Sequence, residues 1–451
     1  MTVHLSRWNV VLVTELFVLL ITAPILYLPQ RFAPEAVVFA SALLLLLWPW
    51  RRLRLGVWCA RTPADWPVFL LFVVMLPVAL WAAPSPLREE YAIPRALILW
   101  WNFSLFWVVI TYGSRSVHLL AVAAAGFMAS MTAIALLAPL GTAWLFKFAL
   151  LTPLLTRIPA PLVGIFQGAE SGFHPNQVAG TLLYALPLMI VLSVYQVRAL
   201  RNRQSALRRS ALAMLPTVAL VTGTLIVGGV LVLTQSRGGL MGLAVALLLL
   251  LLLPQRWGWW VLLTGALLLA TMLVINPTVV LDLISDAPPI EALGGLSTLG
   301  FRQEVWNTAL AGLQDFPFTG MGLGTFREIA FLLYPIAINP NYNFGHAHNF
   351  FLQSALDFGI PGLIALLALY LVVFVLLGQI WRRGTDVTAA GIPIRVWALG
   401  LLASLVGQTA YSQLDAVAMG AKTNFAWWWL LALCLAMGNV WAAKVMSTHP
   451  R

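Results

Sequence analysis

Charged side chains are scarce in this sequence, and their scarcity excludes most classes of soluble protein. Asp, Glu, Lys and Arg make up 9% of the 451 residues, whereas soluble domains average about 25%. Hydrophobic residues make up 61%. Apolar runs of about 20 residues, the length of a helix that crosses a bilayer, recur along the chain. The composition therefore predicts an all-α polytopic membrane protein.

Cysteine is also nearly absent. The two cysteines, Cys59 and Cys434, fall in a basic loop and in the last apolar segment, so we expect neither a disulfide framework nor a cysteine-based metal site. The formal charge of +11 does not indicate nucleic-acid binding, because that function needs a basic face on a soluble domain. Most of the positive charge lies instead between apolar runs, which is typical of membrane topology.

Twelve apolar segments are predicted to be transmembrane helices of a single integral membrane domain, residues 1–451. The stretch 143–155 is predicted to be an extra re-entrant or interfacial piece. The first segment is predicted to be an uncleaved anchor, because it follows Arg7 and no A-x-A cleavage site ends it. The twelve segments lie near residues 9–28, 35–50, 66–83, 92–112, 117–140, 176–197, 211–234, 238–253, 257–276, 349–380, 393–413 and 423–443.

The charges of the loops predict the orientation in the membrane. With the N-terminus in the cytoplasm, 17 of the 26 basic residues fall on the inner side, as the positive-inside rule requires. We therefore expect both termini to be cytoplasmic and the hydrophilic segment 277–348 to form one large extracytoplasmic loop. Within it, residues 301–316 are predicted to form an amphipathic helix on the membrane surface. The inner basic residues are Arg7, Arg51, Arg52, Arg54, Arg61, Arg115, Arg198, Arg201, Arg203, Arg208, Arg209, Arg256, Arg382, Arg383, Arg395, Lys444 and Arg451.

Arg237 is isolated within an apolar region. No Asp, Glu, Lys or Arg occurs in residues 210–236 or 238–255, and an arginine inside hydrocarbon costs at least about 2.5 kcal/mol. Arg237 is therefore predicted to lie at an outward-facing turn between two helices, and Arg302 lies on the outer loop. Two such arginines suit a lipid-linked phosphate or diphosphate, because the planar guanidinium binds phosphate oxygens bidentately. The alternative is that each arginine reaches the headgroups of ordinary lipids.

Two of the six histidines lie in the stretch FGHAHNFFLQSALDFGIPG, residues 344–362. Asn349 is predicted to cap the helix that follows it, which places His348 at the mouth of that helix, outside the membrane core. Imidazole titrates nearer to neutral pH than other side chains, so His348 suits general-base work. The alternative is an interfacial loop histidine beside a helix cap. A zinc site is not expected, because the H-x-H pair has no third ligand nearby.

Two acidic residues inside apolar segments are predicted to be structural. Asp357 lies about 180° around the helix from His348, so the two should not face each other. Glu15 lies in the first apolar segment. An acid within a membrane needs a polar partner, and we expect a structural hydrogen bond or ion pair for both.

Two further motifs favour local structural roles. In ESGFHPNQVAG, residues 170–180, Pro175 suits the first turn of a helix, with His174 and Asn176 beside it as capping residues. The glycines of TGMGLGTF, residues 319–326, predict a tight turn. Their backbone N–H groups would alternatively face an anion, but a nucleotide-binding loop is not expected without a strand–turn–helix context.

Three separated stretches occur along the chain in the order FHPNQVAGTLLYALPL, LTQSRGG and FRQEVWNTALAGLQDFPFTGMGLGTF…HAHNFFLQSALDFGIPG. Together they resemble the O-antigen ligase family, whose superfamily also contains O-antigen polymerases and pilin-type protein O-oligosaccharyltransferases. The resemblance covers roughly residues 160–380, a core region with the family's order of motifs. It implies a fold of about a dozen helices with a GT-C-like glycosyltransferase architecture and a large periplasmic loop before the histidine–asparagine pair. Asp357 departs from the family pattern, in which glutamate is expected.

The resemblance implies roles for residues at matching positions. Arg237 and Arg302 would bind the diphosphate of the donor. His348 would be the catalytic base, with His346 as the second candidate. The supporting residues would be Ser236, Asn349, Trp306 and Asn176.

The implied activity is metal-independent and needs no cofactor. A glycan would move from an undecaprenyl-diphosphate donor to an acceptor hydroxyl on the outer face of the bacterial inner membrane. The acceptor would be a glycan, a lipid A–core or a protein, according to whether the chain is a polymerase, a ligase or a protein O-oligosaccharyltransferase. Membrane lipid is the other expected partner. The alternative of another class is a secondary transporter, but transporters place paired ionisable groups near the membrane midplane, whereas these candidates gather on the outer face.

Overall fold

A computed structural model describes residues 7–165, 170–202, 211–275, 298–342, 344–384 and 387–448. These residues form helices and one hairpin of two short strands, β1 (Thr388–Ala389) and β2 (Ile392–Pro393). Helix α3 contains a π-helical segment, Leu70–Met75. The helices are α1 (Arg7–Tyr27), α2 (Pro34–Leu55), α3 (Asp65–Ala82), α4 (Ser85–Gly113), α5 (Val117–Gly141), α6 (Pro175–Leu183), α7 (Leu186–Asn202), α8 (Ala211–Leu233), α9 (Arg237–Leu252), α10 (Gly258–Ile275), α11 (Thr298–Asp315), α12 (Phe326–Leu333), α13 (Phe350–Arg383), α14 (Ile394–Tyr411) and α15 (Phe425–Thr448), with single turns at Pro29–Arg31 and Thr152–Leu155.

The twelve apolar segments predicted from the sequence all coincide with helices. The sixth segment corresponds to α6 and α7, which are bent by 45° at their junction. Within the described residues, eight helices are long and apolar enough to cross a membrane, or nine if that bent pair is one span. An all-α polytopic membrane protein is therefore confirmed, and the count of twelve spans stays a prediction.

The segment 277–348 is described only from residue 298 onwards, so much of the predicted extracytoplasmic loop lies outside the described residues. Its described part contains α11 and α12. The apolar side of α11, with Phe301 and Val305, is buried against Phe344 and Leu356. The prediction that this side lies on the membrane surface is therefore wrong, because the loop folds back onto the start of α13.

Helices pack closely at glycines near one end of the molecule. A Cβ on Gly242 of α9 would lie 2.6 Å from the carbonyl oxygen of Gly407 on α14. A Cβ on Gly239 would lie 2.7 Å from the Cβ of Ala179 on α6. Real side chains do not approach so closely, so only glycine permits this packing. The starts of α6 and α9 therefore lie beside the end of α14.

Helix α13 is kinked at Gly359, where φ is +69°. The glycine turn 319–326 packs at this kink, because the N–H of Met321 donates to the carbonyl of Leu356 at 2.7 Å. The N–H of Gly324 donates to Oδ1 of Asp357 at 2.8 Å. The predicted tight turn is therefore confirmed. The anionic group that its backbone N–H binds is the carboxylate of Asp357.

Both acids inside apolar segments have polar partners, as predicted. Arg51 donates to Glu15 from Nε at 2.7 Å and from Nη2 at 2.9 Å, and both side chains are buried. Asp357 also accepts a hydrogen bond from Gln353 at 2.8 Å. The Arg51–Glu15 pair links α1 to α2. Asp357 fixes the glycine turn to α13 through the N–H of Gly324, so the contacts of both acids are structural.

Candidate active site

Three helix N-termini meet at the end of the molecule where the glycines pack. His174 caps α6, because its Nδ1 accepts from the N–H of Asn176 at 3.2 Å. Ser236 caps α9, and Asn349 caps α13 with two backbone N–H groups bound at 3.0 Å. The predicted caps His174 and Asn349 are therefore confirmed, whereas Asn176 lies within α6 and does not cap it. Each N-terminus carries partial positive charge, so together they favour an anion at this end.

The loop after α14 links these helix starts through Asp415, which is 3% exposed. Nδ2 of Asn176 donates to Oδ2 of Asp415 at 2.7 Å. Oδ1 of Asp415 lies 3.5 Å from Nε2 of His346 and 3.4 Å from Nδ1 of His348. Tyr411 secures the arrangement, because its hydroxyl donates to the carbonyl of Asn176 at 2.7 Å. Asp415 therefore joins both predicted histidines to Asn176.

The environment of this cluster keeps the carboxylate charged and one histidine neutral. Burial would raise the pKa of Asp415, but its combined interactions with His348, His346 and the backbone N–H of Ala416 outweigh burial and lower that pKa. Burial lowers the pKa of His346 to about 3, and repulsion from His348 adds to this effect. At neutral pH the cluster thus presents an anionic Asp415 and a neutral His346.

The two histidines differ in how their ring nitrogens are used. Nδ1 of His346 accepts the backbone N–H of His348 at 3.1 Å, so the proton of the neutral ring sits on Nε2, which faces Asp415. Nδ1 of His348 lies 3.4 Å from Oδ1 of Asp415, and neither of the two buried ring nitrogens of His348 has a hydrogen-bond partner among the described residues. His348 therefore has a nitrogen available for a proton, with a carboxylate at the opposite nitrogen. That arrangement is suited to a general base.

The backbone around these histidines is strained and tightly held. His348 has φ +49°, in the left-handed region that non-glycine residues rarely adopt. Such strain clusters at functional sites. Nε1 of Trp306 donates to the carbonyl of Ala347 at 3.0 Å, and the N–H of Ala347 donates to Gln353 at 2.8 Å. Trp306 thus supports the histidine loop from α11.

Positive side chains surround the Asp415–histidine cluster. Arg237 is the exposed first residue of α9, and Arg302 lies on α11 with its Nε buried and unpaired. Lys147 interacts electrostatically with both arginines and with Asp415, so these charges share one region. Within the described residues, neither arginine has a carboxylate within 4.0 Å. The site therefore joins a strongly positive region to His348.

Sequence reasoning missed four residues that shape this site: Asp415, Lys147, Gln235 and Arg95. Asp415 had a usable signal, since it is a charged residue in the short connection between the last two apolar segments, whereas Lys147 lies in the long connection 141–175. Arg95 lies against Gly324 and directs Nη2 towards the carbonyl of Gly345 at 3.4 Å. Gln235 gave no signal beyond its place before Ser236.

The expectation that the H-x-H pair has no third ligand nearby is wrong. Ligand atoms of His346, His348 and Asp415 lie within 4.8 Å of one another, close enough to hold a metal ion. Sequence spacing could not show this, because Asp415 follows a different helix. The site is nevertheless surrounded by cations, which repel a divalent ion. A reaction without metal stays a prediction.

Comparison with known proteins gives one family. Residues 219–367, which are 149 of the 451 residues, match the family described as O-antigen ligase. The matched range contains both arginines and both histidines of the site, whereas Asn176 and Asp415 lie outside it. No curated protein matches the chain. The family match confirms the resemblance and supports a ligase- or polymerase-like membrane glycosyltransferase.

Proposed function

Because residues 219–367 match the O-antigen ligase family, we propose that this chain transfers a glycan from an undecaprenyl-diphosphate donor to an acceptor hydroxyl. The reaction takes place at the outer face of the bacterial inner membrane. One observation carries the proposal: positively charged side chains lie in the same region as a histidine that contacts a buried aspartate, His348 with Asp415. The first element suits a diphosphate leaving group, and the second suits removal of a proton.

The positive region acts on the leaving group. Arg237 and Arg302 bind the diphosphate through bidentate, charge-assisted hydrogen bonds. Negative charge grows on the diphosphate as its bond to the sugar breaks, so donors fixed in advance stabilise the transition state more than the ground state. The lipid diphosphate itself activates the sugar, and the mechanism therefore uses no nucleotide.

The histidine acts on the acceptor. Nε2 of His348 takes the proton of the acceptor hydroxyl while the hydroxyl oxygen forms a bond to the anomeric carbon. The bond from that carbon to the phosphate oxygen breaks, and its electron pair leaves with the lipid diphosphate. Asp415 stabilises the imidazolium that forms and holds the ring in the productive tautomer. Attack opposite the leaving group inverts the anomeric carbon.

The supporting residues place these groups. Asn349 and Trp306 fix the ends of the histidine loop, Ser236 fixes the turn that presents Arg237, and Asn176 binds Asp415. A ligase, a polymerase and a protein O-oligosaccharyltransferase would share this machinery, since they differ in the acceptor. A transporter is less well supported, because the cluster lies at helix ends rather than midway along the helices.

The proposal is tested by replacing Arg237 with lysine in the purified protein. Lysine keeps the charge but lacks the planar fork that binds two oxygens. We expect Arg237→Lys to lower transfer from a lipid-diphosphate donor by about 100-fold, the effect of removing one anion donor from an active site. The protein should still express and elute as a single species.

The matched control is Arg382→Lys, at the far end of α13, which should keep full activity. Turnover of Arg237→Lys near that of the unaltered protein would mean that Arg237 contacts lipid headgroups and is not part of a diphosphate site. The proposed role of Arg237 would then be wrong.

A further inference from the structure

The loop that follows α5 is attached to both turns that carry the site. Thr142 pairs with Phe173, directly before the cap of α6, and the N–H of Ala143 donates to Phe173 at 3.0 Å. Further along, the N–H groups of Lys147 and Phe148 both donate to Oε1 of Gln235 at 2.6 Å. The loop therefore spans from the start of α6 to the start of α9.

The burial and the backbone conformation of Gln235 hold its side chain in place for this attachment. Its side chain is fully buried, and its backbone adopts φ +52°, a left-handed conformation. Such a conformation is unfavourable for a residue other than glycine and persists only where the surroundings hold it in place. Gln235 directly precedes Ser236 and Arg237, so the same strained turn presents Arg237 and fixes the backbone of Lys147.

Lys147 therefore adds a third cation to the two arginines. It interacts electrostatically with Arg237 on α9, Arg302 on α11 and Asp415 after α14. Within the described residues, no carboxylate lies within 4.0 Å of Lys147. The protein covers this residue only in part, so a ligand can reach it. Three cations from separate elements repel one another, and a ligand with several negative charges relieves that repulsion.

We propose that Lys147 is a third binding group for the donor diphosphate and that Gln235 is the positioning residue that holds it there. This inference rests on the proposed function and extends it. Two arginines can each bind two phosphate oxygens, whereas the flexible ammonium supplies a point charge for the oxygen that is freed when the sugar leaves. Lys147 thus makes the site selective for a diphosphate over a single phosphate.

Inhibition by inorganic pyrophosphate tests the binding role. The assay uses the purified full-length protein and a lipid-diphosphate donor, with pyrophosphate and phosphate as inhibitors. We expect Lys147→Ala to raise the Ki of pyrophosphate about 10- to 100-fold, as for the loss of one hydrogen bond to a charged group. The Ki of phosphate should change much less. The control Arg157→Ala, an exposed arginine in the same connection, should leave both unchanged.

The outcomes separate this inference from the proposed function. If Arg237→Lys loses activity while Lys147→Ala keeps the original Ki of pyrophosphate, the role of Lys147 is wrong and the proposed function stands. If neither change affects pyrophosphate inhibition, the diphosphate site itself is wrong. Equal increases in the Ki of phosphate and pyrophosphate would overturn the selectivity.

The pH dependence of donor binding gives a second readout. Partial burial lowers the pKa of Lys147, and repulsion by Arg237 and Arg302 adds to this, while Asp415 opposes it. The diphosphate binds the protonated lysine, so the KM of the donor should rise as the pH rises through that lowered pKa. Among the other groups near Lys147, burial lowers the pKa of His174, and a guanidinium is not deprotonated in a protein. Lys147→Arg should therefore remove the alkaline rise in KM, and a rise that persists would overturn the inference.

A double-mutant cycle tests the role of Gln235. If Gln235 acts through Lys147, Gln235→Ala should raise the Ki of pyrophosphate, but adding it to Lys147→Ala should produce little further change. Gln235→Glu keeps an acceptor for the two N–H groups and should retain the loop. Additive effects of the two alanine changes would overturn the positioning role.

Discussion

The two histidines of the site differ in one hydrogen bond, which a backbone N–H donates to the ring of only one of them. His346 and His348 contact the same oxygen of Asp415 at nearly equal distances, 3.5 and 3.4 Å. The N–H of His348 donates to Nδ1 of His346 and uses the lone pair on that ring. His346 then has no nitrogen left for an acceptor hydroxyl. Similar contacts with one carboxylate thus leave only His348 able to act as the base.

The first prediction concerns these two histidines. His348→Ala should abolish transfer while a lipid-linked donor still binds, because proton removal is lost and the arginines remain. His346→Ala should reduce the rate more modestly, since it removes a contact that orients Asp415 and the loop. Single-turnover transfer and donor binding, measured on the same purified variants, check both. An inactive His346→Ala beside an active His348→Ala would reverse the assignment.

The same cluster makes the metal question testable. Prolonged treatment with EDTA should leave the rate unchanged, because Arg237, Arg302 and His348 perform the reaction in the proposed mechanism. Added Zn²⁺ should inhibit, since it would occupy the nitrogens of His346 and His348. Loss of activity in EDTA, with recovery on addition of a divalent metal, would show that the three residues are ligands and that the metal-free mechanism is wrong.

At the scale of elements, capping preferences explain where the helices begin. They do not explain which residues of other helices contact those beginnings. Ser236 and Asn349 are residue types that cap helices, and both do so here. The cap at Asn349 could therefore be predicted from a few neighbouring residues. Asn176 and Asp415 lie 239 positions apart, and their contact depends on how α6 packs against α14. Nothing in either local sequence predicts that packing.

The second prediction concerns the packing that creates this contact. Gly242→Ala should destabilise the protein by about 1–3 kcal/mol, because overfilled cores force neighbours apart, and it should lower activity by moving the start of α9. Gly229→Ala on α8 is the matched control, since a Cβ there meets nothing within 4 Å. Thermal unfolding in detergent, followed by fluorescence-detected size exclusion, measures the stability of both variants, and the transfer assay measures their activity. A Gly242→Ala protein as stable and active as Gly229→Ala would contradict the packing argument.

At the scale of the whole molecule, the site and the main basic residues lie at opposite ends of the same helices. The site includes the start of α13 and the end of α14, whereas Arg382 and Arg383 end α13 and Arg395 lies at the start of α14. A helix of 17 residues, such as α7, spans roughly 26 Å, so Arg198 and Arg201 also lie far from the site. Since basic residues favour the cytoplasmic side, this distribution favours an outward-facing site.

The sequence could predict this general arrangement because hydropathy and loop charge are properties of segments. It could not predict Lys147 or Gln235, which meet across 88 positions. It also misplaced α11, because an amphipathic pattern looks the same whether its apolar side meets lipid or protein. Phe301 and Val305 are buried against the protein. Pattern therefore predicts what a segment is, and tertiary contacts decide what it touches.

The last prediction concerns orientation. Single cysteines at Ser297 and Ser205, two positions outside the described residues, are placed in a background that lacks Cys59 and Cys434. A membrane-impermeant thiol reagent should label Ser297→Cys in intact cells, because the predicted orientation puts residue 297 on the outer side, with the proposed diphosphate site. It should label Ser205→Cys only after the cells are opened, because the positive-inside rule predicts that the basic segment 198–209 is cytoplasmic. Labelling of Ser205→Cys but not Ser297→Cys in intact cells would invert the protein and place the site on the cytoplasmic face.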